Sequence, residues 1–192
     1  MAEKFEVWIE AERFIHNDLS NCAYDFRNRA QEKIESGQTD GVYHDMMAAL
    51  VFCAFSVEAK VNFVGWRCLQ SGWPERANLR EKIELLNKVL SLDLSWGVEP
   101  WQTLLQLKRF RDTLAHGKPE VIDERKIVDV EPEIWAALKG QWESSVRPEF
   151  VAKCREAEQE VWTTLLSRAD IPKSQTLTHG GHSLKQLIQP GT

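Results

Sequence analysis

Phe110-Arg111-Asp112-Thr113-Leu114-Ala115-His116-Gly117 closes a helix whose inward positions are otherwise apolar. Counting back from Leu114, the residues Trp101, Leu104, Leu107, Arg111 and Leu114 recur at steps of three and four, the spacing of one helical face. Arg111 therefore stands where the pattern asks for leucine. A guanidinium taken out of water is costly unless it meets a partner or a polar cavity. Pro100 suits the first turn of this helix, and Gly117 followed by Pro119 ends it.

Outward from this stretch the chain is nearly all helical. The segment from Gly41 to Gln70 is apolar on almost every face and is expected at the centre of the fold. Ser71-Gly72-Trp73-Pro74 is a turn, followed by a helix from Glu75 to Leu90 with Leu79, Ile83, Leu86 and Leu90 as its stripe. A first helix is expected from Val7 to Glu35, with a break near Asn17-Asp18, and a fifth from Pro148 to Ser167. Val121–Ile122 and Ile127–Val130 are compatible with a small β-hairpin insertion. The expected fold is all-α, a bundle of about five helices forming a single domain over residues 1–171, with 172–192 as a flexible C-terminal tail.

At 192 residues, 43% hydrophobic and 28% charged, the chain has the composition of a water-soluble domain with a substantial core. Its four cysteines form no CxxC pair and read as small apolar residues of a reducing compartment. The N-terminus lacks the apolar core of a signal peptide, and the longest uncharged run, Met46 to Val57, is too short to span a bilayer. A cytoplasmic location without membrane association is expected.

Chemistry-bearing motifs are few. The chain has no phosphate-binding glycine loop, no GxSxG, no HExxH and no Glu-x-x-His pair. Thr178-His179-Gly180-Gly181-His182 offers two histidines but no acidic or cysteine neighbour, so neither metal nor cofactor is expected. Arg111 and His116 remain as the candidate site. On the second helix Glu58 and Asn62 interrupt the apolar row Val51, Phe55, Leu69 much as Arg111 interrupts its own. Glu58 can pair with Arg111, or nearer by with Lys60 or Arg67. His116 also suits a helix C-terminus through the dipole alone, and Asp112 can be an ordinary surface carboxylate.

The Arg111-Asp112-x-x-x-His116 run at the end of a late helix resembles the motif of the HEPN superfamily: arginine, a polar residue, then histidine a few positions on. Ser56-Val57-Glu58-Ala59-Lys60-Val61-Asn62-Phe63 is similar to the second-helix segment of some HEPN-like families, where an acidic residue faces the motif. The resemblance covers residues 41–167 and includes the helical order. It implies a HEPN-like bundle and a homodimer in which two motifs share one cleft. It also implies metal-independent RNA endonuclease activity, of the kind found in toxins with an antitoxin or sensor partner and in antiviral defence effectors.

In that setting Arg111 and His116 are the expected catalytic residues with Glu58, supported by Asp112 and Asn62. Histidine titrates near neutral pH and can serve as base or acid, and an arginine fork can stabilise charge on phosphate oxygens. Lys108, Arg109 and Lys118 are the expected RNA contacts, and they matter because a net charge of −5 supplies no broad attraction for RNA. HEPN-like families also include non-catalytic interaction or nucleotide-binding modules, in which Arg111 and Glu58 would be a structural pair.

Overall fold

The computed structural model describes residues 6–123, 125 and 138–187. In chain order these form β1 (Glu6–Arg13), α1 (His16–Glu35), α2 (Val42–Leu69), α3 (Leu79–Leu90), α4 (Trp101–His116), α5 (Pro148–Arg168) and β2 (His179–Leu187). The fold is all-α in character, with five helices among the described residues.

α2 packs against all four other helices, because its apolar residues run around the cylinder and only a central position removes them from water. Leu50, Val61 and Val64 are wholly buried there, beside Leu86 of α3, Leu104 and Leu107 of α4, and Cys154 and Leu165 of α5. By length and composition the stretch Val42–Gly72 could cross a bilayer, yet 56% of its most apolar window is buried inside the protein, the situation of a core helix. Asp45 in the first turn of α2 clamps α1, taking hydrogen bonds from Arg29 and Lys33. Those two cations, Arg29 foremost, hold its carboxyl below the usual range against the effect of burial.

Gly65 lets α2 meet the turn that follows it. A Cβ there would lie 2.3 Å from the ring of the buried Trp73, which is itself fixed by an indole N–H donated to Asn62. Alanine would gain about 1 kcal/mol of helix propensity over glycine. Displacing an anchored indole costs roughly 1–3 kcal/mol or more. Gly65→Ala is thus expected to lower the urea midpoint, and Gly65→Ala/Trp73→Leu to recover it; an unchanged midpoint in the single variant would refute the contact.

α3 begins at Leu79, later than the expected Glu75, because Asn78 caps it and forms a reciprocal capping box with Glu81. α4 ends where expected, with Gly117 at φ 53° donating its N–H to the carbonyl of Thr113.

The helix expected from Val7 starts only at His16. Residues 6–13 form β1, which pairs antiparallel with β2, from Glu6 opposite Leu187 to Arg13 opposite His179. Val7, Ile9 and Ala11 alternate with Trp8, Glu10 and Glu12, a period of two that suits a strand once a partner is present. Residues 179–187, expected as part of an irregular tail, supply that partner. Of the suggested hairpin, Val121–Ile122 adopt no regular structure, and Ile127–Val130 lie outside the described residues.

Cys53 and Cys154 are buried, and Cys22 and Cys68 half-buried, all as free thiols. Burial pushes the thiols of Cys53 and Cys154 up, so neither is a ready nucleophile.

Candidate functional site

The last turns of α4 carry a line of ion pairs. Arg111 is three-quarters buried, and one terminal nitrogen donates to Glu58 of α2 at 2.7 Å. The other lies 3.1 Å from Asp112, whose second oxygen accepts from Lys108 one turn earlier. Of the three cations open to Glu58 by spacing, the geometry selects Arg111 of α4: Lys60 pairs with Glu158, and Arg67 with Glu12.

His116 follows Asp112 by four residues, so Lys108, Asp112 and His116 succeed one another along a single ridge. Arg111 points from a neighbouring ridge but reaches Asp112, the residue between Lys108 and His116 on theirs. The His116 ring is exposed and, among the described residues, makes no hydrogen bond. Nε of Arg111 is buried and without a partner among the described residues, so its fork is not fully satisfied there.

The other expected residues are elsewhere. Asn62 is used by Trp73, its side-chain oxygen accepting the indole N–H at 3.3 Å, and it does not join Arg111. Arg109 lies on another face of α4, lining a cavity of about 340 Å³ with Gln106, Thr113 and Arg147. Lys118 is exposed just past the helix end. Among the described residues, no three His, Cys, Asp or Glu side chains gather to hold a metal ion.

A second polar cluster was not expected from the sequence. Glu158 of α5, with a side chain 0% exposed, accepts hydrogen bonds from Lys60 at 2.8 Å, Arg155 at 2.8 Å, Ser20 at 3.3 Å and also from Ser56. Burial alone would push the Glu158 carboxyl up, but the charge of Lys60 and these hydrogen bonds bring it below its ordinary value. The signal was available. Cys154, Glu158, Val161 and Leu165 follow the same helical steps that single out Arg111, and Lys60 sits among Val57, Val61 and Val64.

His16 adjoins this cluster at the start of α1. Its buried Nε2 is 3.0 Å from the carbonyl of Thr176, which also accepts from Asn17 at 2.6 Å. Burial, helped by the nearby charge of Lys60, lowers its pKa from 6.5 even though the bond to Thr176 opposes the shift. The unfolded chain then takes up the proton first as pH falls. Stability is expected to be full above about pH 6.5 and to drop as the pH falls through the window beneath it. Urea midpoints between pH 5 and 8 check this; the slope should vanish in His16→Asn and persist in His44→Asn, where the ring is exposed.

Compared with protein-family models, with curated proteins and with solved structures, the chain matches none.

Proposed function

We propose that this chain is a metal-independent RNA endonuclease of HEPN type, acting as a homodimer in the cytoplasm. The supporting observation is the 2.7 Å contact between Glu58 and Arg111, which sets an acidic residue of α2 against the motif at the end of α4, whose His116 is exposed. Glu58 and Asp112 hold the guanidinium at the protein edge, where its free donors can meet a phosphate. His116 takes the proton of a ribose 2′-hydroxyl, and the partner copy's histidine returns one to the departing 5′-oxygen. Lys108 and Lys118 flank the strand, and Arg109 contributes from the adjoining face. In this reading the protein acts as a toxin or antiviral effector restrained by an antitoxin or sensor protein.

One observation favours a second reading. Both terminal nitrogens of Arg111 already meet carboxylates, as a structural pair in a non-catalytic interaction or nucleotide-binding module requires. Purified protein incubated in excess EDTA with a labelled structured RNA and a tRNA mixture separates the two. Cleavage by the wild type that is lost in folded Arg111→Ala and His116→Ala is expected. No cleavage by any of the three across substrates and salt would select the module, and equal cleavage by all three would reject the site.

A further inference from the structure

Away from α4, the Glu158 cluster borders a cleft of about 520 Å³ between α1, α2, α5 and residues 173–178. Among the described residues, three cations line it, Lys60, Arg155 and Lys173, and no aspartate or glutamate does. In a chain with a net charge of −5, this is a concentration of positive charge facing one cavity.

The cations are held from behind. Lys60 is buried, and its ammonium has two protein acceptors, Glu158 at 2.8 Å and Ser20 at 3.4 Å, leaving one of its three hydrogens for the cleft. Arg155 gives one nitrogen to Glu158, and the rest of its fork has no acceptor among the described residues. Glu158 itself is inside the protein and orients both cations; its charge offsets one of theirs, so the cluster and Lys173 together still leave the cavity positive. Lys173 comes from the opposite wall, a short 3-10 turn fastened to α1 by the double hydrogen bond from His16 and Asn17 to Thr176.

The remaining wall suits the body of a ligand. Trp162, half-buried against His16 and Phe63 and with the Lys60 ammonium 5.4 Å from its centroid, lines this wall with the rest of its ring, and the exposed amides of Asn21 and Gln159 offer hydrogen bonds. The volume is that of a small-molecule site.

We propose that this cleft binds a small phosphate monoester carried on a ring. The phosphate is held by Lys173 with the free donors of Arg155 and Lys60, and the ring lies against Trp162 between the two amides. Cationic donors set around a polar cleft favour the dianion, while an aromatic side chain and amides suit a sugar or nucleoside body. This site is independent of Arg111 and His116.

The test uses calorimetric titration of the full chain with glucose 6-phosphate, adenosine 5′-monophosphate and inorganic phosphate. One ring-bearing ester is expected to bind at least about tenfold more tightly than inorganic phosphate, and Lys173→Glu to weaken it by about tenfold or more. Lys173 is exposed, so this variant keeps the fold, which its thermal midpoint verifies. Glucose 6-phosphate binding alone assigns a sugar body, and adenosine monophosphate alone a nucleoside body; either supports the proposal. Loss of ligand-induced fluorescence change in Trp162→Phe places the ring. The proposal is overturned if neither ester binds at millimolar concentration, if inorganic phosphate binds as tightly, or if Lys173→Glu binds unchanged.

Discussion

Glu158→Gln is expected to cost the protein about 3–5 kcal/mol of stability, because it strands a buried ammonium without a counter-charge. The side chain of Lys60 is 6% exposed, and its other partner is a serine hydroxyl 3.4 Å away. The converse variant is milder. In Lys60→Met, Glu158 keeps Arg155 and two hydroxyl donors, so the expected loss is roughly 1–3 kcal/mol, nearer that of a removed hydrogen bond. Replacing both, as Lys60→Met/Glu158→Leu, removes the desolvated charges together and should recover most of the loss, since well-packed apolar residues often substitute for such pairs without penalty. Urea unfolding at pH 7 measures all three. A Glu158→Gln variant within about 1 kcal/mol of the wild type would mean that water reaches the pair. Acid should act on the same bonds: the lowered carboxyl of Glu158 contributes stability above its unfolded value near 4.5, and that contribution disappears as the pH falls through the folded one.

Arg111→Ala and His116→Ala should each reduce RNA cleavage by about 10²–10⁴-fold while leaving the protein folded. Glu58, freed of its partner, is 31% exposed and can be solvated, so the stability cost of Arg111→Ala is that of a partly exposed ion pair, at most about 1 kcal/mol. His116 is exposed and has no hydrogen bond to lose among the described residues. In the proposed reaction activity depends on both, because one group would stabilise phosphate charge and the other move protons, functions that neighbouring Lys108 cannot supply while it is bound to Asp112. Arg111→Lys should recover little, since an ammonium cannot satisfy Glu58, Asp112 and a phosphate in one plane. Unchanged rates in both alanine variants would exclude this edge of α4 from the chemistry.

The helices were legible wherever local chemistry sets their limits. The all-round apolar run of α2, the Gly117 stop of α4 and Pro148 at the start of α5 each act within a few residues, and the observed limits agree closely with those expected from them. β1 was not legible in this way. Its alternation is short and its partner lies at the other end of the chain, so nothing local distinguishes it from the start of a helix. The same distinction runs through the site. Arg111 and Glu58 stand out because each breaks an apolar row, and they do meet. Asn62 breaks the same row, but its partner is Trp73, whose position depends on how the turn after α2 folds back over Gly65. Glu158 and Lys60 break rows of their own, and only the packing of α2 against α5 reveals them as a pair.

The chemistry of the cut ends tests the proposed activity most directly. Attack by the ribose 2′-hydroxyl on the adjacent phosphate breaks the bond to the 5′-oxygen, which leaves with a proton. RNA cleaved by the wild type in EDTA is therefore predicted to carry 2′,3′-cyclic phosphate and 5′-hydroxyl ends, with neither end formed by folded His116→Ala. Ends bearing 5′-phosphate and 3′-hydroxyl, or cleavage appearing only when a divalent metal is restored, would contradict it.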